Sequence, residues 1–261
     1  MDRDHEQHHE YDDQFVAGLE WIWGEGFLSP GGADEVALIL DGLDLDGKRV
    51  LDIGCGIGGI DILLVKKHNA AQVVGVDVEQ PLLDRAMQLV QQAGLTDRIN
   101  FQLIQPGPLP FADESFDFVF SKDAMVHIPD KVAIYSEIYR VLQPDGQVAF
   151  SDWFGSEMPN TPEFEEWLRV ISLTFGMGTL AEAERLMDST GFRDITTNDR
   201  NAWYADYMHQ ELETIQGENY DRLVAEHGEA MAAQRLQSSL AKKTVVDQGL
   251  LRPGHIRAIK P

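Results

Sequence analysis

The stretch Val50-Leu51-Asp52-Ile53-Gly54-Cys55-Gly56-Ile57-Gly58-Gly59 decides how this chain is read. Apolar residues run into an acid, and glycine then recurs at every second position. The pattern predicts a buried parallel strand, a tight turn and a helix opening near Gly59. Glycines at 54, 56 and 58 let the backbone approach a ligand where a Cβ would clash. The first N–H groups of the helix have no intrahelical partner and face whatever sits at the turn. Together these features mark a nucleotide-type cofactor site.

Two cofactor classes fit the glycines, because Gly54, Gly56 and Gly59 also satisfy the dinucleotide fingerprint G-x-G-x-x-G. Asp77, at the end of Val73-Val74-Gly75-Val76-Asp77, suits a ribose diol in either case. Asp52 separates them. An acid two residues before the first glycine would repel a pyrophosphate and suits a sulfonium and an α-ammonium. A short-chain dehydrogenase would also carry Tyr-x-x-x-Lys, whereas Tyr135 is followed by Tyr139. The reading favours S-adenosyl-L-methionine, leaving S-adenosyl-L-homocysteine as product. A nicotinamide or flavin cofactor and a plain packing turn are the alternatives.

Composition bounds the rest. The chain has 261 residues, 43% of them hydrophobic, enough for one large domain or a domain with a cap. No apolar run reaches the length of a membrane span, and the start, Met1-Asp2-Arg3-Asp4-His5-Glu6, does not read as a signal peptide. Cys55 is the single cysteine, so no internal disulfide forms; its place in the loop suits a small apolar residue. A cytoplasmic enzyme is expected. The net charge of −23 disfavours nucleic acid as a partner, because phosphates would be repelled over the whole surface. It fits high solubility or a saline habitat equally well.

Residues 1–10 read as a polar tail whose histidines (His5, His8, His9) are not taken as a metal site; no metal is expected anywhere. Helices are predicted at 11–23 and 33–40. Strands follow at 49–53, 72–77, 99–104, 116–121 and 147–152, alternating with helices at 58–67, 80–93 and 131–142. That alternation implies a parallel sheet with right-handed crossovers. Pro144-Asp145-Gly146 reads as a turn into the fifth strand. A helix near 180–190 and strands near 194–198 and 255–260 complete the sheet. Residues 158–177 and 202–251 read as cap elements over the carboxyl ends of the strands, where ligands bind in open α/β sheets.

The glycine loop, Asp77 and Phe116-Asp117-Phe118-Val119-Phe120-Ser121-Lys122-Asp123-Ala124-Met125-Val126-His127 resemble a class I S-adenosylmethionine-dependent methyltransferase. Tyr11, Trp23-Gly24-Glu25, Ser29-Pro30-Gly31-Gly32 and the run from Lys122 to His127 resemble the phosphoethanolamine methyltransferases most, and also the sarcosine and dimethylglycine methyltransferases. The resemblance implies a Rossmann-like seven-stranded, mostly parallel sheet with helices on both faces. It implies one domain over 11–261, with lid helices in 11–32 and helical cap elements at 153–178 and 202–251.

By the same resemblance, Asp52 and Gly54 line the methionine end of the cofactor, and Gly56 also belongs to the cofactor site. Asp77 takes the ribose hydroxyls, with Val78 beside it, and Leu28 and Ser29 close over the site. Lys122 stands where that family carries an arginine. Gln105 stands where it carries an acid near the adenine amino group. Tyr11 and His127 match the catalytic pair, and Asp123 is placed to meet the acceptor's ammonium.

The departures concern the acceptor. The family's first-helix tyrosine is replaced near Leu19, and the cap reads Trp153-Phe154 and Leu173-Thr174-Phe175 where basic and tyrosine side chains would hold a phosphate. An apolar cap is a poor phosphate clamp. Arg169 and Arg200 are candidate anion partners or surface salt-bridge residues. Trp21, Trp23, Trp153 and Phe175 offer ring faces to a methylated ammonium, or pack as core. The expected activity is methylation of a small amine without a phosphate, by a monomer or homodimer. An oxygen or sulfur acceptor is the alternative, and a nicotinamide oxidoreductase a remote one.

Overall fold

The computed structural model describes residues 13–158, 161–171 and 175–261. Tyr11 and the tail, and Leu173 and Thr174, lie outside the described residues. Two helices lead, α1 (Asp13–Trp23) and α2 (Gly32–Ile39). The alternating core follows as β1 (Arg49–Ile53), α3 (Gly59–Lys66), β2 (Gln72–Asp77), α4 (Gln80–Ala93), β3 (Ile99–Leu103), β4 (Phe116–Lys122), α5 (Lys131–Val141) and β5 (Leu142–Gly155). After it come α6 (Pro162–Ile171), α7 (Leu180–Thr190), β6 (Arg193–Asp199), α8 (Asn201–Thr214), α9 (Glu218–His227), α10 (Glu229–Asp247) and β7 (Leu251–Ile259).

The seven strands form one sheet in the order β3-β2-β1-β4-β5-β7-β6. The first five pair in parallel, and β7 runs antiparallel between β5 and β6. The chain starts in the middle of the sheet and winds outward first one way and then the other. The order reverses between β1 and β4, which opens a crevice at their carboxyl ends.

Strand alternation distributes the core. Leu51 and Ile53 of β1 pack with Val119, Ile134, Ile138 and Met187 on one face. Val50 packs with Ile39, Leu64, Val90, Phe118 and Phe120 on the other. A third cluster belongs to the cap: Phe164 and Trp167 of α6, Tyr204 and Met208 of α8, and Met231, Val245 and Val246 of α10. The two expected cap segments therefore share one core.

Local signals set the helix ends. Pro81 near the start of α4 and a left-handed Gly94 after it bound that helix. Asp130 caps α5 by accepting from the Ala133 N–H, and Thr179 with Glu182 forms a capping box on α7.

Two strands exceed the expected bounds. β5 begins at Leu142 because Pro144-Asp145-Gly146 is absorbed as an irregularity, with Asp145 at φ 61° and the register to β4 shifting between Phe116 and Phe118. β7 begins at Leu251, although Pro253-Gly254 reads as a break. Pairing with β6 ends at Gly254, so Pro253 falls where β7 has lost that neighbour.

Helix α2 is fastened to this frame by Glu35. It accepts two hydrogen bonds from Arg200 (2.9 and 2.8 Å) and meets His255 Nε2 at 2.7 Å. Burial opposes its charge, but the bonds from His255 and Arg200 pull its carboxyl down to about 2. Among the described residues no helix is long and apolar enough to cross a membrane.

Candidate active site

The crevice at the ends of β1, β2 and β4 is a cavity of about 320 Å³. Its floor is the loop after β1. Gly54 sits at φ 75°, and a Cβ there would come 2.1 Å from the Cβ of Ala124, so no side chain fits. Gly59 opens α3 against the lid, where a Cβ would stand 2.1 Å from the Gly26 carbonyl oxygen. Asp77 ends β2 and accepts from the N–H of Gly56 (2.9 Å) and of Glu79 (3.0 Å). Burial nonetheless raises its carboxyl above the ordinary range. Leu28, Ser29, Gly54, Gly56, Val78, Gln105 and Lys122 all border this cavity with it.

Asp52 is placed differently from its neighbours. Ile53 and Gly54 reach the cavity, whereas Asp52 shares the Val50 face of β1 and lies behind the loop, fully buried. Among the described residues neither of its oxygens has a hydrogen-bond partner, and buried Asp61 on α3 has no partner beyond its own backbone N–H. Burial, then the charges of Asp61 and Asp77, push Asp52 upward; burial takes Asp61 up to about 7. Three acids thus crowd beneath one loop, and burial favours the neutral form of each.

A second chamber adjoins the first, and Leu28, Ser29, Asp123 and His127 border both. Lys122 ties this junction together. Its Nζ donates to Ser29 Oγ (2.7 Å), the Pro30 carbonyl (2.9 Å) and Asp123 Oδ2 (2.6 Å). Asp123 takes a left-handed φ of 56°, rare for a residue with a side chain, and Ser151 donates to its other oxygen.

His127 closes a short 3-10 turn over Met125–His127. Three contacts fix that turn. Asp152 accepts from the Val126 N–H at 3.0 Å, Lys131 donates to the Met125 carbonyl, and the Gly176 N–H donates to the Val126 carbonyl at 2.8 Å. Burial raises Asp152 to about 7, against the pull of Lys131. The His127 ring meets Phe175 edge-on, with centroids 5.2 Å apart.

Trp23, Trp153 and Phe175 line the second chamber, and Trp153 and Phe175 also pack on the rim of the cap core. Trp153 abuts Tyr204 (4.9 Å), and Trp23 donates to Glu211 at 3.1 Å. Trp21 is not part of the lining and instead donates to Glu226 at 3.0 Å. Neither candidate anion partner faces the chamber. Arg169 pairs with Glu166 on the surface, and Arg200 holds Glu35. The cations that do line it, Arg235 and Lys242, were not found from the sequence. They stand on α10 with Gln234, Ser238 and Ser239, at i, i+1, i+4, i+5 and i+8 from Gln234. That is a one-faced polar stripe, and it was the available signal. Lys242 is held by buried Glu211 at 2.9 Å. Among the described residues no group of side chains is arranged to hold a metal ion.

A doubly wound sheet, a glycine loop under an acid-backed crevice and a second chamber beneath a helical cap define a methyltransferase of the Rossmann-like class. The chain belongs to the methyltransferase domain family, whose model matches residues 44–228. It is 28% identical to phosphoethanolamine N-methyltransferase 1 of Arabidopsis thaliana over 80% of this chain and 42% of that protein. It is 27% identical to the phosphoethanolamine N-methyltransferase of Plasmodium falciparum, over 79% of this chain and 76% of that one. The chain thus spans less than half the length of the plant relatives it matches. Among solved structures, phosphoethanolamine N-methyltransferase 2 of Haemonchus contortus, in complex with phosphomonomethylethanolamine and S-adenosylhomocysteine, superposes with a TM-score of 0.90. It is 27% identical and covers 97% of this chain and 59% of that one. A sarcosine dimethylglycine methyltransferase-like protein from Galdieria sulphuraria shares the fold, with a TM-score of 0.75 at 23% identity over 94% of this chain and 86% of that one.

Proposed function

We propose that this chain uses S-adenosyl-L-methionine to methylate the amine nitrogen of a small molecule, ethanolamine-like or glycine-like and without a phosphate. The observation that carries this reading is the shared wall of the two chambers, formed by Leu28, Ser29, Asp123 and His127. The residues suit the cofactor: a loop with no room for a Cβ, buried carboxylates behind it, and an acid at the end of β2.

S-adenosyl-L-methionine supplies an electrophilic methyl on a sulfonium. In this reading Asp77 holds the ribose hydroxyls, Gln105 the adenine amino group, and Val78 covers the base. Gly54 and Gly56 give the methionine end its room, and buried Asp52 backs the loop from behind. Leu28 and Ser29 close the lid, which Lys122 fastens.

The acceptor side must present a neutral, desolvated amine in line with the methyl. Holding two reactants so can lower a barrier by roughly 7–11 kcal/mol. A protonated amine cannot attack, so its proton must leave. Imidazole, ordinarily titrating near 6.5, is suited to take it directly or through water, and His127 stands at the junction. Tyr11 orients His127 and shuts out solvent, and Asp123 pairs with the ammonium. Trp23, Trp153 and Phe175 offer ring faces to the methylated cation, each worth about 0.5–2 kcal/mol. A cytoplasmic setting belongs to the same reading, since it keeps the buried thiol of Cys55 reduced.

The test is S-adenosylhomocysteine release with ethanolamine, phosphoethanolamine, glycine, sarcosine and dimethylglycine, alongside thiols and phenols. Turnover of an unphosphorylated amine supports the proposal. Preference for phosphoethanolamine removes its phosphate-free part, and turnover of only thiols or phenols overturns it.

A further inference from the structure

Asp152 of β5 is a buried acid that the methyl-transfer chemistry leaves unassigned. It is 1% exposed and borders neither chamber. Its neighbour Ser151 holds Asp123 twice: the Ser151 hydroxyl donates to the carboxylate, and the Ser151 carbonyl accepts from the Asp123 N–H at 2.8 Å. Asp152 itself accepts from the Val126 N–H at 3.0 Å. Two consecutive residues of one strand thus grip the loop after β4 at the acid and at the turn that carries His127. The register explains how. Lys122 at the end of β4 pairs with Ser151, so the loop leaves β4 beside a strand that runs on past it to Gly155.

The same peptide segment is held from the other side. The Val126 carbonyl accepts from the Gly176 N–H at 2.8 Å, in the stretch between α6 and α7. A Cβ at Gly176 would stand 2.9 Å from the Pro129 Cα, so this close approach needs glycine. Phe175, one residue earlier, meets the His127 ring edge-on. Lys131 of α5 adds its donor to the Met125 carbonyl. A 3-10 turn of three residues has poor hydrogen-bond geometry of its own. The direction in which it presents His127 is therefore set by what binds it from outside.

We infer that Asp152 is a positioning residue for methyl transfer: through its hydrogen bond to Val126, opposed by Gly176 of the cap, it holds His127 at the junction of the two chambers. A base takes a proton only where it reaches it, so looseness in this turn converts into lost rate. The bond needs an accepting oxygen and not a charge. Burial already favours the neutral carboxyl, raising it to about 7 against the pull of Lys131, and an amide oxygen accepts equally well. This inference rests on the amine N-methyltransferase reading and adds to it a residue that touches neither cofactor nor acceptor.

The experiment makes Asp152→Ala, Asp152→Asn and Gly176→Ala in the wild type, and Asp152→Ala also in His127→Ala. Three readouts are taken: steady-state kinetics with the amine the wild type methylates best, calorimetry with S-adenosylhomocysteine, and the NMR signal of the His127 imidazole, identified by its loss in His127→Ala. Asp152→Ala should lower kcat by about ten- to a hundredfold, the cost of a misplaced reacting group, with acceptor KM and S-adenosylhomocysteine affinity near those of the wild type. Asp152→Asn should recover most of that loss. In His127→Ala, Asp152→Ala should cost nothing further, because residues that act as a unit are not additive. Gly176→Ala should lower kcat in the same way. The His127 signal should shift or broaden in Asp152→Ala and Gly176→Ala and keep its place in Asp152→Asn.

The inference is overturned if the losses from Asp152→Ala and His127→Ala multiply, if S-adenosylhomocysteine affinity falls along with kcat, or if Asp152→Asn is as damaging as Asp152→Ala. Should Asp152→Ala fail to fold, Gly176→Ala decides: a lowered kcat with a displaced His127 signal supports the inference, and an unmoved signal overturns it. If no amine is methylated, the underlying reading fails, and the His127 signal decides alone. Moved by Asp152→Ala and kept by Asp152→Asn, it supports the positioning role; any other pattern overturns it.

Discussion

Lys122 Nζ and Asp123 Oδ2 stand 2.6 Å apart with side chains 1% and 5% exposed, a buried ion pair between sequence neighbours at the junction of two chambers. The lysine reaches back to Ser29 and Pro30 of the lid, and the acid reaches Ser151 of β5. The pair therefore fixes the loop at Ser29 and Pro30 and the acid that borders both chambers at once. Lys122→Met leaves Asp123 buried without its cation, and removing one partner of such a pair costs about 3–5 kcal/mol. Denaturant unfolding should show a loss of that size. Calorimetry should show weaker S-adenosylhomocysteine binding, because Ser29 loses its anchor. Unchanged affinity would mean that the lid loop holds itself.

His127→Ala is expected to lower kcat by about 10²–10⁴-fold, the usual worth of a general base, with S-adenosylhomocysteine affinity near that of the wild type. Tyr11→Phe should lower kcat by a smaller factor. The dyad assignment is wrong if both variants keep full turnover. A lost kcat coupled to lost cofactor binding would instead assign His127 to the architecture of its turn.

Gly54→Ala tests the loop. The new Cβ meets Ala124 at 2.1 Å and must adopt φ 75°. Strain of this kind costs of the order of 1–3 kcal/mol before the clash is counted. Thermal melting should fall by several degrees, and S-adenosylhomocysteine should no longer stabilise the protein. Normal binding by this variant would place the cofactor elsewhere.

Much of this was legible in the sequence because it rests on short-range rules. The apolar-rich runs at 50–53, 73–76 and 116–121 made β1, β2 and β4 readable as buried strands, and Lys122, Asp123 and His127 of the following loop border the cavity. Asp52 was harder: its face is set by the alternation of side chains along β1, and one step puts its carboxylate behind the loop. The start of β7 was masked by Pro253-Gly254, whose break signal is overridden by pairing with Trp153 and Asp152. Arg235 and Lys242 were missed because α10 joins the chamber across a long sequence separation.

The acids beneath the loop make stability depend on pH. Burial raises Asp61 from the usual carboxylate range to about 7. A raised carboxyl holds its proton in the folded state after the unfolded chain has lost it, so stability falls as pH rises from about 4 to 7 and stays lowered above. Asp61→Asn removes that titration. Its melting temperature should match the wild type near pH 4 and exceed it at pH 8. A variant that melts lower than the wild type at pH 8 would show that the Asp61 charge is needed even without ligand.

Glu20 links the lid to the rim of the cofactor cavity. One oxygen accepts from the Gly26 N–H at 2.8 Å, and the other pairs with Arg85 of α4, the helix that follows Asp77. Glu20 is largely buried while Arg85 is 39% exposed, so water screens the pair from one side. Its worth is then modest: it ties α1 to α4 beside the Gly26 turn. Glu20→Gln keeps an acceptor for Gly26 but loses the charge, and release of S-adenosylhomocysteine should speed by roughly three- to tenfold with little change in melting temperature. Raising salt should move the wild type toward the variant, because a half-exposed pair is screened. If release is unchanged and salt has no effect, the Glu20–Arg85 pair does not hold the lid, and Gly59→Ala, which breaks the close approach of Gly26 to Gly59, is then the substitution that should open it.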